Sequence, residues 1–262
     1  MRTRNNYNKK MRTKTILLTA ALVAAGVASS MAQSSNVYSL NVVGYVNVTL
    51  VPGFNLITVP LQSSDPSNSV NVCLTNITPT LGGGAYLYTW NAAAGTYNAG
   101  ILAGGDGNWY DPTGSFQVTT PLPPGEAFFI QNINGVNLTA TLVGTVVQGT
   151  NSYPVNTGYG FYGNFEPVTG DITTNGFPIV DNSALITWNA GQQKYNTSYY
   201  GIGTDQSAYD GSGNLLGTPA PYPVLSFDGS TRAVYTNTPG AGFIYQNPGA
   251  ATNWSQKFTV AQ

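Results

Sequence analysis

Thr89-Trp90-Asn91-Ala92-Ala93-Ala94-Gly95-Thr96-Tyr97-Asn98 returns later in the chain as Thr187-Trp188-Asn189-Ala190-Gly191-Gln192-Gln193-Lys194-Tyr195-Asn196. Both copies read T-W-N-A-x-x-x-x-Y-N. Four residues run into a turn, four vary, and a Tyr-Asn pair leaves, which is the pattern of two aromatic-bearing strands joined by a hairpin loop. A stretch this long occurring twice marks a tandem duplication, and the rest of the chain can be phased from it.

Other landmarks follow in the same order. Val43-Gly44-Tyr45-Val46 is matched by Val143-Gly144-Thr145-Val146, and Gly53-Phe54 with Pro60-Leu61 by Gly160-Phe161 with Pro167-Val168. After the hairpin, Tyr110-Asp111-Pro112-Thr113-Gly114 is matched by Tyr209-Asp210-Gly211-Ser212-Gly213, and Pro124-Gly125-Glu126-Ala127-Phe128-Phe129 by Pro239-Gly240-Ala241-Gly242-Phe243-Ile244. The offsets, 100, 107, 98, 99 and 115 residues, give a unit of about one hundred residues with an insertion near 214–238 in the second copy. A unit of that size suits a small β domain.

Within the first unit, alternating or β-branched runs at 42–50, 86–90, 116–120, 127–131 and 138–147 read as strands, separated by Gly, Pro, Asn and Asp clusters. Residues 254–260 alternate large and polar, as a final strand does. The spacing of Val70, Cys73, Leu74 and Ile77 is helical and predicts a helical turn or two. The fold class is therefore all-β: two tandem, closely packed β-sandwich-like repeats, at 33–140 and 141–262. Strand-like sequence runs unbroken across 136–147, so the copies are expected to form a rigid pair or share a sheet.

Residues 1–32 read as a cleaved signal peptide. Arg2, Arg4, Lys9, Lys10, Arg12 and Lys14 precede an apolar run at 16–27 that ends at Ser30-Met31-Ala32. Met11 opens an equally complete leader. The apolar run is too short to cross a bilayer core of about 30 Å. Without the leader, three of the nine cationic side chains, Lys194, Arg232 and Lys257, face all ten acidic ones, for a net charge of three minus ten, or −7. No basic patch remains to neutralise phosphates, which argues against nucleic acid and against anionic membranes as partners. Only 7% of residues are charged, so amides, hydroxyls and backbone must keep the surface wetted, as suits extracellular sheets, fibres and sugar-binding domains. Cys73 is the single cysteine. It reads as a buried apolar thiol, with an intermolecular disulfide as the alternative.

The chain contains no histidine, which excludes Ser-His-Asp and Cys-His nucleophile systems and His-bearing zinc sites. Gly158-Tyr159-Gly160-Phe161-Tyr162-Gly163 spells G-x-G-x-x-G, but no helix pattern follows it, so it does not read as a nucleotide site. Glu126 and Glu166 are the only glutamates and neither recurs in the other copy, which weakens a carboxylate-pair hydrolase. Asp111 and Asp210 do recur, as turn-formers would. Asp210, Ser212 and Asn214 place oxygen side chains at alternate positions, in the manner of a calcium loop, against the plainer reading of a glycine-rich turn. Among the aromatics, Trp90 and Trp188 recur and are expected in the core. Trp109, next to Asn108 and Asp111 in a loop, is the candidate for an exposed sugar-stacking platform.

The opening N-V-V-G-Y-V-N at 41–47, P-G-x-x-F-F-x-x-N at 124–132, V-G-x-V-x-Q-G at 143–149 and a terminal tryptophan strand at 254–260 resemble a set of secreted two-repeat proteins of verrucomicrobial type. The resemblance covers nearly the whole chain after the leader and departs from it between Gly213 and Pro239. It implies export and a duplicated β architecture, and no activity. Together these readings lead to the expectation of a secreted, non-catalytic structural or interaction protein of the cell surface or extracellular matrix, with release into the periplasm as a variant. Its expected partners are itself or other surface components. A carbohydrate-binding module that takes glycans without catalysis is the alternative.

Overall fold

The two T-W-N-A-x-x-x-x-Y-N stretches fold as the hairpins that their sequence predicts, and their recurring Thr, Trp, Asn and Tyr residues hold them together. Trp90 faces Tyr97 across one hairpin and Trp188 faces Tyr195 across the other. Asn98 Nδ2 donates to Thr89 Oγ1 at 2.8 Å, and Asn196 Nδ2 to Thr187 Oγ1 at 2.8 Å, clasping each base. The side-chain oxygen of Asn91 accepts from the Ala94 amide, and that of Asn189 from the Gln192 amide, so each asparagine closes its own turn.

The computed structural model describes residues 42–196, 198–202, 224–226 and 232–259. The first repeat runs β1 (Val43–Leu50), β2 (Gly53–Thr58), single helical turns at Val70–Cys73 and Thr78–Leu81, β3 (Tyr86–Tyr88), β4 (Trp90–Asn91), β5 (Thr96–Tyr97), β6 (Ile101–Ala103), β7 (Trp109–Tyr110), β8 (Ala127–Asn132) and β9 (Leu138–Thr145). The second runs β10 (Gly149–Val155), β11 (Gly158–Gly163), β12 (Gly170–Asp171), β13 (Ala184–Ile186), β14 (Trp188–Asn189), β15 (Lys194–Tyr195), β16 (Tyr199–Ile202), β17 (Val224–Ser226), β18 (Arg232–Ala233), β19 (Thr236–Asn237), β20 (Gly242–Asn247) and β21 (Thr252–Phe258). The architecture is all-β. Among the described residues, no helix is long and apolar enough to cross a membrane.

Each repeat is a sheet covered by a two-stranded ribbon. The sheets have the orders β2-β8-β3-β6-β7 and β11-β20-β13-β16-β17-β18, and the ribbons are β1-β9 and β10-β21. The inward residues of β1, Val46 and Leu50, and of β9, Ala140 and Leu142, meet Ile57, Leu87, Phe128 and Ile130 of the first sheet. In the second repeat Val155 and Trp254 of the ribbon meet Tyr162, Leu185, Phe243 and Tyr245. A third layer joins the repeats: Leu56, Ala127 and Phe129 pack on Phe161 and Ile244. Both faces of β8 and β20 are therefore covered, which is why neither strand alternates polar with apolar.

The contacts between the repeats are reciprocal. Thr58 N donates to Gly240 O at 3.0 Å, and its counterpart Gly163 N donates to Gly125 O at 3.1 Å. Trp90 Nε1 donates to Tyr159 O at 2.7 Å, and Trp188 Nε1 to Phe54 O at 2.8 Å. Such exchange is the signature of a twofold relation, here between halves of one chain. At this seam Gly163 has no room for a side chain, because a Cβ there would run into the Thr58 side chain.

Several expectations are corrected. Val43-Gly44-Tyr45-Val46 and Val143-Gly144-Thr145-Val146 are not equivalent positions of two copies. They belong to one antiparallel ladder, with Gly44 opposite Gly144. The counterpart of β1 is β10, and the second repeat begins at β10; a boundary at 140/141 falls inside β9. The counterpart of Gly53 is Gly158 rather than Gly160, since Gly53 pairs with Asn132 and Gly158 with the matching Asn247. Residues 116–120 form no strand: the Asp111 carboxylate, which accepts from the amides of Ser115 and Phe116 at 2.8 and 3.1 Å, closes the turn before them, and only Gln117 bridges back, to Tyr110. The repeats are bridged at their edges without sharing a sheet. The helical turn at 70–73 falls where the spacing places it, whereas 74–77 form a bend and turn and the second helical turn lies just beyond them, at 78–81.

A candidate aromatic cleft between the repeats

The seam opens on one side into a cleft of about 290 Å³ lined by Phe54, Tyr88, Tyr97, Phe129, Trp188 and Tyr195. Both hairpins and the first sheet contribute to it, so the cleft exists only because the two repeats are docked. Trp188 meets Phe129 edge-on at 5.1 Å and Tyr195 at 4.9 Å, and Phe54 meets Tyr88 and Phe129 at 6.0 and 6.2 Å. Edge-to-face pairs of this kind hold rings at fixed angles. Opposite, Trp90 lies flat on Phe161, 5.0 Å apart and 5° from parallel.

Tyr97 and Tyr195, equivalent residues of the two hairpins, join their hydroxyls at 3.2 Å across the seam. Both remain substantially exposed, at 39% and 48%. Burial, and then the hydrogen bond to Tyr195, push the Tyr97 phenol above its ordinary range, so its ring is a neutral phenol at any physiological pH. None of the six lining residues carries a charge. The cleft offers ring surfaces with a few hydroxyl groups at the mouth, and its twofold relation is imperfect. Where Tyr88 and Phe129 line it, the opposite half has Ile186 and Ile244, packed in the seam.

The platform expected from the sequence is not there. Trp109 is fully buried. It sits opposite Ala103 on β7, which turns the indole into the first core, and its amide donates to Asn71 Oδ1 at 2.6 Å. The Asn108 amide and side chain are both spent on Asp106. Asp111 is a turn-former, its carboxyl held below the usual range by the Phe116 amide and the Thr113 hydroxyl. The three residues present no common surface. Asp210, Ser212 and Asn214 lie outside the described residues. Trp90 and Trp188, expected in a core, are half-buried in the seam instead, and Trp188 lines the cleft. The signal for the cleft was the recurrence of Trp and Tyr in both hairpins.

Cys73 is a buried structural thiol that donates to Asn68 O at 3.2 Å, and burial pushes it up to about 11. The two glutamates line different pockets. Glu126 borders one of about 310 Å³ beside Trp90, with the Tyr153 hydroxyl donating to its Oε2 at 3.5 Å. Glu166 borders another of about 360 Å³ on the second repeat. Burial raises each carboxyl to about 7, and the bonds from Tyr153 and from Asn151 respectively work against that rise. Comparison of the chain with protein-family models, curated proteins and solved structures finds no match.

Proposed function

We propose that this is an exported, non-catalytic interaction protein of the cell surface or matrix, and that it holds its ligand in the cleft between the repeats. The observation that carries the reading is the lining of six uncharged aromatic residues, drawn from both repeats and held edge-to-face, with two exposed tyrosine hydroxyls at the seam. Such a surface suits a saccharide, whose ring C–H face packs on aromatic faces while its hydroxyls meet phenols. The opposed carboxylate pair of a glycoside hydrolase has no counterpart in the cleft, since Glu126 and Glu166 line other pockets.

A second reading, self-association, is favoured by one feature. The outward face of β1 and β9 exposes Val43, Tyr45 and Val143, with Tyr45 opposite Val143. A β-ribbon with an apolar outer face and an open edge is a template for pairing with another copy.

A glycan array combined with sedimentation separates the two. Specific glycan binding by a monomer, weakened about tenfold or more in Trp188→Ala or Tyr195→Ala, supports the cleft reading. In Trp109→Ala stability should fall and the intrinsic affinity stay unchanged. Because the cleft is uncharged, the affinity should change by less than about twofold between about 50 and 500 mM salt. Concentration-dependent assembly with no glycan bound would instead support self-association, and binding that collapses with salt would sink the cleft reading.

A further inference from the structure

Six buried side-chain polar atoms among the described residues lack a hydrogen-bond partner, and three of them, Glu166 Oε1, Asn175 Nδ2 and Gln256 Oε1, belong to residues lining the pocket of about 360 Å³ on the second repeat. Folding normally satisfies buried polar groups, so leaving several unpaired at one place is costly and calls for an explanation. Glu166 and Gln256 are 4% and 7% exposed, so solvent barely reaches them. They come from separate elements, Glu166 from the turn after β11, Asn175 from the turn after β12 and Gln256 from β21. The support beneath is firm, because the fully buried Trp254 donates its Nε1 to the Asn175 carbonyl at 3.0 Å. Of the pocket's hydroxyls, Thr174 is already spent on the Asp171 carbonyl and Ser255 on Ser152.

We propose that this pocket is a second ligand site, distinct from the aromatic cleft, and that it takes a neutral polyhydroxylated ligand such as a single saccharide unit. The donor and acceptor inventory selects the class. The site presents unpaired acceptors on Glu166 and Gln256 and an unpaired donor on Asn175, with the Lys257 ammonium on the exposed rim. A cation would satisfy the two oxygens but would face the Asn175 amide and Lys257. An anion would satisfy the donors and be opposed by the oxygens. A hydroxyl group both donates and accepts, so adjacent hydroxyls on one ring can answer all three atoms at once. The volume is far beyond the roughly 30 Å³ of one water, so a single ordered water would not fill it. The raised affinity of Glu166 for its proton agrees with a carboxyl kept for hydrogen bonding rather than for ion pairing.

The test is a thermal-shift screen of the full-length chain, followed by titration calorimetry. The probes are glucose, galactose, mannose, rhamnose and N-acetylglucosamine, with glycine and calcium chloride alongside. At least one sugar should raise the melting temperature. Its affinity should fall about tenfold in Asn175→Ala and in Glu166→Ala, which remove the donor and an acceptor, and should stay unchanged in Trp188→Ala. Asn175→Ala keeps the carbonyl that Trp254 needs and removes an amide without a partner, so it should fold as the parent does. Sugar binding lost in Trp188→Ala and kept in Asn175→Ala would assign all recognition to the cleft and overturn this site. So would stabilisation by glycine or calcium alone, or by no probe, the last meaning a pocket filled with ordered water.

Discussion

Gln193 and Gly95 occupy the same place in the two hairpins, and both have positive φ, 51° and 64°. Glycine adopts that conformation freely, whereas glutamine there is strained by roughly 1 kcal/mol. The strain is offset across the seam. Phe54 N donates to Gln193 Oε1 at 2.7 Å, and Gln193 Nε2 donates to the Phe54 and Pro52 carbonyls at 3.0 and 3.3 Å. Gln193→Ala loses these bonds and keeps the strained φ, so it should cost about 1–2 kcal/mol in denaturant unfolding. Gln193→Gly loses the same bonds and relieves the backbone, so it should fall between Gln193→Ala and the parent. An alanine variant as stable as the parent would mean that the bonds contribute nothing. Nothing in the sequence distinguishes Gln193 from its neighbour Gln192, because its partners lie 139 positions away.

Strands that pair and strands that repeat leave similar marks in a sequence. β1 and β9 both alternate around a Val-Gly step, and they resemble each other because they lie face to face in one ladder, from Val43 opposite Thr145 to Leu50 opposite Leu138. Periodicity reports which face a residue takes and is silent about its partner. The placing of the chain break follows from the pairing. Halves divided after residue 147 keep both ribbons whole and expose only the seam, so co-expressed they should assemble into a complex that survives size-exclusion chromatography. Halves divided after residue 140 strip β9 from β1 and leave open edges, and these should aggregate. Soluble, independently folding halves from the division at 140 would refute this account of the ladder.

Taken as a whole, the molecule should be most stable in mild acid. Glu126 and Glu166 rise from an ordinary 4.5 to about 7, so the folded state holds their protons more tightly than the unfolded chain. The stability that follows is fully present below about pH 4.5 and is lost as pH climbs through 7. Asp65, Asp106 and Asp111 are lowered by hydrogen bonds in their own turns, and their contribution is lost only as pH falls below about 3.8. The melting temperature should therefore peak at about pH 4 to 5 and decline towards pH 8, by on the order of 2 kcal/mol of stability for each glutamate. Glu126→Gln and Glu166→Gln should each flatten part of that decline. A melting temperature that rises from pH 5 to 8 would contradict the burial of both carboxyls.

Local chemistry was legible without coordinates wherever the deciding contacts are near in sequence. The hairpins, their asparagine-closed turns, the helical turn that begins at Val70 and the turn-forming Asp111 all depend on residues within about ten positions, and the all-β class follows from their sum. The absence of histidine excludes whole families of mechanism on sight. Docking of the repeats is different in kind. Trp109 stands in a polar stretch of sequence and is buried because β7 pairs with β6, while Trp188 sits on a strand and lines a cleft at the seam between the repeats. The aromatic cleft and the Glu166 pocket are each assembled from segments far apart in the chain, so which side chains meet there is set by packing between layers, which no local pattern encodes.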